Sequence, residues 1–182
     1  MRELSLNILD IAQNSITAGA SLITIEIAED TATKTLIIGI YDNGKGMSEE
    51  QVRSVIDPFF TTRTTRKVGM GIPLFKMAAE QTGGSLQIKS ELGVGTEVRA
   101  TFKTDSVDFT PLGDVAATVQ MLISMNTDRD FIYRRLVDGR DFTLDTREVK
   151  EILGDVPLDA YEVSQWLIEF INENTHELYG GA

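Results

Sequence analysis

Asp10 and Asn14 stand four residues apart in Glu3 to Ala18 (ELSLNILDIAQNSITA), where the polar residues Asn7, Asp10, Asn14 and Thr17 recur at helical spacing. One turn apart on a helix, the Asp10 carboxylate can polarise a water beside an Asn14 amide oxygen able to ligate a hard cation such as Mg2+. A second group is Asp42-Asn43-Gly44-Lys45-Gly46-Met47. It puts a carboxylate at the end of an apolar strand and two glycines just behind it, so the backbone can turn tightly against something bound. Such an Asp can accept from an exocyclic amino group; the same Asp-Asn-Gly also suits an ordinary turn. A third stretch, Thr61 to Lys67, gathers Arg63, Arg66 and Lys67 among four threonines in an otherwise acidic chain. It leads into Gly69-Met70-Gly71 at a helix start, where free backbone N–H groups and the helix dipole favour phosphate. Basic loop, glycines and helix N-terminus together suit a polyphosphate.

The elements that hold these groups follow from periodicity. In the first helix, Leu4, Ile8, Ile11 and Ser15 flank the polar stripe on one side and Leu6, Leu9 and Ile16 on the other, so the stripe suits a cleft wall between two buried flanks; a half-exposed helix with scattered polar residues has the same pattern. Ser21 to Ala28 alternates as a half-buried strand, Glu29 to Lys34 is its turn, and Thr35 to Asp42 is more uniformly apolar and hence more central. Ser48 and Gln51 form a capping box for a helix through Ile56, stopped by Pro58. Gly69, Gly71 and Pro73 open a helix to about Gln81, with Gly83-Gly84 as its stop. Ser85 to Ser90 and Thr96 to Phe102 are alternating strands joined by Glu91 to Gly95. Hairpins with helices between them predict an α/β sandwich, a mixed, mostly antiparallel sheet with helices on one face.

Thr104 to Gly113 reads as a linker, giving domains at 1–104 and 114–182. In the second, an α+β lobe, Asp114 to Met125 is an amphipathic helix and Asp130 to Val137 a strand turning at Asp138-Gly139 into Asp141 to Leu144. Asp145 with Glu148 and Asp159 with Glu162 are expected to cap two further helices, the last with an apolar stripe of Val163, Trp166, Leu167, Phe170 and Ile171. Periodicity leaves open whether the hairpin extends the main sheet or stands apart.

The 182 residues suffice for a full domain with its own core plus a smaller lobe, and 42% hydrophobic with 25% charged residues is an ordinary globular balance. No apolar run reaches the roughly 20 residues of a membrane span, and no secretion signal opens the chain. With no cysteine there is no disulfide, Cys–zinc site or thiol catalysis, and the cytoplasm is the expected compartment. A formal charge of −11 argues against nucleic acid or an anionic membrane as partner, so an anion must be held by a local site.

Taken in order, these motifs resemble the ATP-binding domain of histidine kinases, anti-sigma-factor kinases, DNA gyrase, mismatch-repair ATPases and a heat-shock chaperone, the Bergerat-type fold. Asp10 to Ala20 looks like the family's N box, and the resemblance gives Asn14 the Mg2+ ligand role and Asp10 that of catalytic base. Asp42-x-Gly44-x-Gly46-Met47 looks like the adenine motif, with Asp42 accepting from the adenine amino group. Asp57-Pro-Phe59-Phe-Thr-Thr62-Arg63 resembles the phenylalanine box of the kinase branch. Val68-Gly69-Met70-Gly71-Ile72 resembles the glycine box at the phosphates, and Gly93-Val-Gly-Thr96 the one that supplies a threonine near adenine. The implied ligands are ATP or ADP with Mg2+, and Lys67 joins Arg63 and Arg66 at the phosphates.

Three departures shape the expected activity. Asp10 stands where strongly hydrolysing members have glutamate, a shorter arm, so hydrolysis is expected to be slow. Thr17 stands where histidine kinases often have a phosphate-binding lysine, and the lid between Arg63 and Gly69 is short. The sole histidine, His176, lies near the C-terminus, so a self-phosphorylating histidine kinase is not expected. The resemblance implies a regulatory ATPase or kinase acting on or through a partner protein engaged by the C-terminal lobe. An anti-sigma-like serine kinase and a non-catalytic nucleotide sensor remain as alternatives, and dimerisation is left open.

Overall fold

A computed structural model describes residues 3–57 and 70–181 of the chain. Its elements are α1 (Leu4–Thr17), β1 (Leu22–Asp30), β2 (Thr35–Asp42), α2 (Glu49–Ile56), α3 (Gly71–Gln81), β3 (Ser85–Glu91), β4 (Gly95–Lys103), α4 (Val115–Met125), β5 (Asp130–Val137), β6 (Arg140–Asp145), α5 (Thr146–Leu153) and α6 (Tyr161–Leu178). The strands form a single six-stranded sheet in the order β3-β4-β2-β1-β5-β6. All neighbours are antiparallel except β1 and β5, which run parallel. This is the α/β sandwich expected from the hairpin pattern, and the β5–β6 hairpin extends the main sheet.

Alternation builds the core. Ile23, Ile25 and Ile27 of β1, Leu36, Ile38 and Ile40 of β2, Val98, Ala100 and Phe102 of β4, and Phe131 and Tyr133 of β5 are all buried. Register stacks them in rows, with Ile25 opposite both Ile40 and Tyr133, and Ile38 opposite both Ile27 and Ala100. Leu4, Ile8, Ile11 and Ala12 of α1 join the same cluster, the leucine and each isoleucine contributing roughly 1.5–3 kcal/mol over exposure. The other face is polar: Arg134 lies 3.4 Å from Glu26 and 3.1 Å from Asp141. Central β2 keeps Ile37 half-buried even there, and the Tyr41 ring folds back over Gly39.

Several expectations need correction. Leu6 is 39% exposed, so the Leu6, Leu9 and Ile16 flank of α1 is only partly covered. Glu29 and Asp30 continue β1, paired with Leu36 and Thr35, and do not belong to the turn. Thr104 to Gly113, read as a linker, is tied to the start of α1. Leu4 and Ser5 donate to the carbonyls of Pro111 and Leu112, each at 2.8 Å, which satisfies N–H groups that a helix start leaves orphaned. Phe109 of the same segment meets Phe102 edge-on at 6.3 Å.

The capping box of α2 forms as expected, and Asp114 and Asp145 cap α4 and α5 by accepting from Ala117 and Arg147. Asp159 does not cap α6. Buried Leu158 and a turn from Ala160 to the Pro157 carbonyl carry the chain one residue further, and Ala160 takes the cap position. Trp166 also leaves the expected buried stripe: Val163, Leu167 and Ile171 turn inward while Trp166 is 44% exposed. No helix among the described residues is long and apolar enough to cross a membrane.

Candidate functional site

α1 is the wall along which the candidate groups are arranged. Asp42, at the end of β2, reaches back to it: Asp42 Oδ2 accepts from Ser15 Oγ at 2.6 Å, and Oδ1 accepts from the Gly44 amide at 2.8 Å. Each carboxylate oxygen therefore has one fixed donor and retains capacity for another, so the group is an oriented acceptor. Ser15 is 3% exposed and was not singled out in the sequence, where it reads as part of an apolar flank.

The loop behind Asp42 is wedged between α1 and the β3–β4 hairpin. The Lys45 amide donates to the Ala18 carbonyl at 3.0 Å, and the Lys45 carbonyl accepts from Gly93 at 2.7 Å. Met47 N–H donates to Ser90 Oγ at 2.8 Å, and Ser90 Oγ lies 2.8 Å from Thr96 Oγ1. Thr96 faces Asp42 across the β2–β4 register, so the two side chains assigned to the adenine end lie side by side on the sheet. Both glycines are dictated by close approach. A Cβ on Gly44 would come within 2.9 Å of Ala18, and one on Gly46, at φ +73°, within 2.0 Å of the Glu91 carbonyl oxygen. Ser90 was likewise missed, because its role depends on the hairpin returning it to the loop.

At the middle of α1, the start of α3 rests on Asp10. Gly71 is buried, and a Cβ there would stand 3.1 Å from Asp10 Cβ. Met70, half exposed, holds the cap position without a side-chain cap, so the first amides of α3, at Gly71 and buried Ile72, have no side-chain acceptor there. Asp10 is exposed, yet partial burial raises its carboxyl above the ordinary 3.8. Asn14 is also exposed and its amide has no hydrogen-bond partner among the described residues. From Asp10 to Ala18 the helix rises by about 12 Å, which separates the Asp10–Gly71 contact from the Asp42–Gly44 contacts along α1.

Not every expected residue lies there. Asn7 departs from the exposed stripe and is fully buried, with both amide atoms unpartnered. Phe59, Thr62, Arg63, Arg66, Lys67 and Gly69 lie outside the described residues, as does the lid.

The donor set suits the ligands implied by the resemblance. Magnesium keeps several waters and takes only one or two protein ligands beside phosphate oxygens, which a free Asn14 amide next to a carboxylate can supply. Tight glycine approaches and an oriented acceptor suit a flat base and its phosphates.

Residues 1–106 match the family model described as "Histidine kinase-, DNA gyrase B-, and HSP90-like ATPase". The chain belongs to that family. It is 33% identical over 89 residues to the sensor histidine kinase ZraS of Salmonella typhimurium, covering 48% of this chain and 19% of that protein. To sporulation kinase D of Bacillus subtilis it is 33% identical over 94 residues, covering 52% of this chain and 18% of the relative. It thus spans less than a fifth of either kinase. In fold it is similar to the Aquifex aeolicus MutL ATPase domain complexed with ADP, with TM-score 0.52 and 16% identity over 84% of this chain and 69% of that one. The N-terminal domain of a DNA repair protein gives TM-score 0.58 at 14% identity, over 85% and 58% respectively.

Proposed function

We propose that the chain binds Mg-ATP in the cleft along α1 and works as a regulatory ATPase whose nucleotide state is read by a partner protein. The observation that carries this is the Asp42 carboxylate, fixed as an acceptor by Gly44 and by Ser15, the neighbour of exposed Asn14 on α1, while the middle of the same helix sets Asp10 against Gly71 at the start of α3. Asp42 and Thr96 take the adenine, with Gly44, Gly46 and Met47 lining its approach. The Gly71 and Ile72 amides take phosphate oxygens, and Asn14 holds Mg2+. The metal, when bound, neutralises charge developing on the phosphates. Asp10 accepts the proton of the attacking water; its burial-raised carboxyl makes it a better base than an ordinary aspartate, partly offsetting its short reach. Phe59, Thr62, Arg63, Lys67, Gly69 and Met70 complete the nucleotide site by their place in the motifs.

The test is thermal unfolding with ATP, ADP and AMP, with and without Mg2+. Ligand at about 100 times its dissociation constant stabilises the native state by about 2.7 kcal/mol. For a chain of this size that is a rise in Tm of about 5–11 °C. Asp42→Asn should abolish the rise and Asn14→Ala its Mg2+ dependence. A wild type that no nucleotide shifts would sink the reading. A second reading, a nucleotide sensor without turnover, is favoured by the short Asp10 side chain. Tight binding with phosphate release no faster than free ATP would select it, whereas release that Asp10→Asn abolishes would reject it. Labelled-phosphate transfer to a protein hydroxyl would instead select a serine kinase.

A further inference from the structure

The outward face of α6 carries one sign of charge. Val163, Leu167, Ile171 and Leu178 turn into the core, which leaves Glu162, Trp166, Glu169, Glu173 and Glu177, spaced by three or four, along the opposite side. All five are exposed. The four glutamates form no ion pair among the described residues, and α6 contains neither Lys nor Arg. Trp166 stacks on Phe170 at 5.0 Å, Phe170 meets Phe142 of β6 edge-on at 6.0 Å, and Phe142 meets buried Tyr133 at 5.9 Å. A row of rings rooted in the core thus backs the indole from behind, so it has little freedom to lose when something covers it.

Charge selects the occupant. A second copy would bring the same glutamates and a net charge of −11, and nucleic acid or an anionic membrane would be repelled as well. We propose that this face docks a basic amphipathic segment of a different protein. Its Lys or Arg side chains would pair with the glutamate row while an apolar or guanidinium side chain covers Trp166. This surface lies on a different element from the nucleotide site; it names the kind of partner for the reading above, and its test, run without nucleotide, fails or succeeds separately from ATP binding.

Trp166 is the only tryptophan in the chain, so its emission reports on this face directly. The probe is a synthetic helical peptide of leucine and lysine in heptad spacing, titrated into the full chain without nucleotide. We expect Trp166 emission to shift on binding, and affinity to fall at least about tenfold between ~50 mM and ~500 mM salt. Glu169→Lys with Glu173→Lys should weaken binding at least about tenfold, whereas Asp105→Lys with Asp108→Lys, the same change in net charge on an exposed segment elsewhere, should change it less than about twofold. Trp166→Ala, followed by anisotropy of a labelled peptide, should weaken binding while leaving the circular dichroism unchanged. The idea is overturned if both double variants lose affinity equally, if the peptide binds without altering Trp166 emission, or if no binding is seen. A concentration-dependent dimer that buries Trp166 would assign the face to a second copy and overturn it too.

Discussion

Gly46 and Gly93 give a paired test of how tightly the loop behind Asp42 is held. Both have positive φ, +73° and +80°. Alanine at either place carries the left-handed backbone penalty, roughly 1–2 kcal/mol. They differ in what a methyl would strike: nothing lies within 4 Å at Gly93, whereas at Gly46 the Glu91 carbonyl oxygen would be 2.0 Å away and its carbon 2.6 Å. The obstacle is backbone, so no rotamer relieves it and the loop must move by about an ångström to reach ordinary contact. Moving it strains three hydrogen bonds, Lys45 to Ala18, Gly93 to Lys45 and Met47 to Ser90. At about 0.5–1.5 kcal/mol each, their loss adds roughly 1.5–4.5 kcal/mol. Gly93→Ala should therefore lower Tm by about 2–8 °C, and Gly46→Ala by that amount plus roughly 3–18 °C, using the 2–4 °C per kcal/mol expected at this size. Thermal unfolding with and without ATP measures both, and only Gly46→Ala should also lose nucleotide protection, since it displaces the Asp42 acceptor. Equal shifts in the two variants would refute the close approach of loop and hairpin.

Three further outcomes are expected. Ser15→Ala removes a buried donor to a carboxylate, which should cost about 1.5–3 kcal/mol in urea unfolding and weaken ATP by about tenfold, while Ser15→Thr keeps the hydroxyl and most of the affinity. Asp10 has its carboxyl raised by burial, so the native chain holds that proton more readily than the unfolded chain. Stability is then lost as pH rises from the ordinary 3.8 through the raised native value, and stays lost above it. Asp10→Asn should accordingly raise Tm at pH 7 but not near pH 3 while abolishing phosphate release; a lower Tm at pH 7 would contradict this. Phe102→Ala, at a fully buried ring 5.7 Å from Phe75, should cost about 3–5 kcal/mol by urea unfolding, and a cost below ~1 kcal/mol would mean the core closes over the gap.

Much of the fold was legible because strand burial repeats every second residue: Ile23, Ile25 and Ile27 are both the sequence pattern and the inner face of β1. Local caps were legible for the same reason, as at Ser48 with Gln51, whose two bonds span three residues. Asp10, Asn14, Asp42 and Gly44 were singled out by type and spacing, and the structure sets Asp42 against Ser15 and Gly71 against Asp10. Ser15 was not, since its partner is 27 residues away and nothing local marks a serine on an apolar flank as a donor to a distant carboxylate. Asn7 shows the converse error: periodicity puts it on the stripe of Asp10 and Asn14, but periodicity cannot say how much of that stripe neighbouring elements cover, and Asn7 is fully buried. Trp166 escaped for a related reason. A helix with apolar residues over a wide arc does not declare which edge of the arc a neighbour will cover, and in α6 the core takes the Val163–Leu167–Ile171 edge.

The join between the motif-bearing residues and those beyond 106 is at Ser21 and Leu22. Asn43, inside the Asp42 loop, accepts through Oδ1 from the amides of both, at 2.9 and 3.0 Å, and donates back to Ser21 Oγ at 2.9 Å. From the other side the Asp130 amide, at the start of β5, donates to the Ser21 carbonyl at 2.8 Å, and Arg129 donates to the Ala20 carbonyl. The Asp42 loop and the first residue of the C-terminal hairpin are thus pinned to the same two positions, one by side chain and one by backbone. Pinning continues outward, because β5 pairs in register with the whole of β1 up to Glu29, and α4, in contact with α1, also contacts α6. A segment seated on α6 is therefore linked to the Asp42 loop through packed elements, and a partner there would bias what the loop holds if those elements have two arrangements that both sites favour unequally. The coupling must be reciprocal: whatever factor ATP imposes on the affinity of the basic peptide, the peptide must impose on ATP.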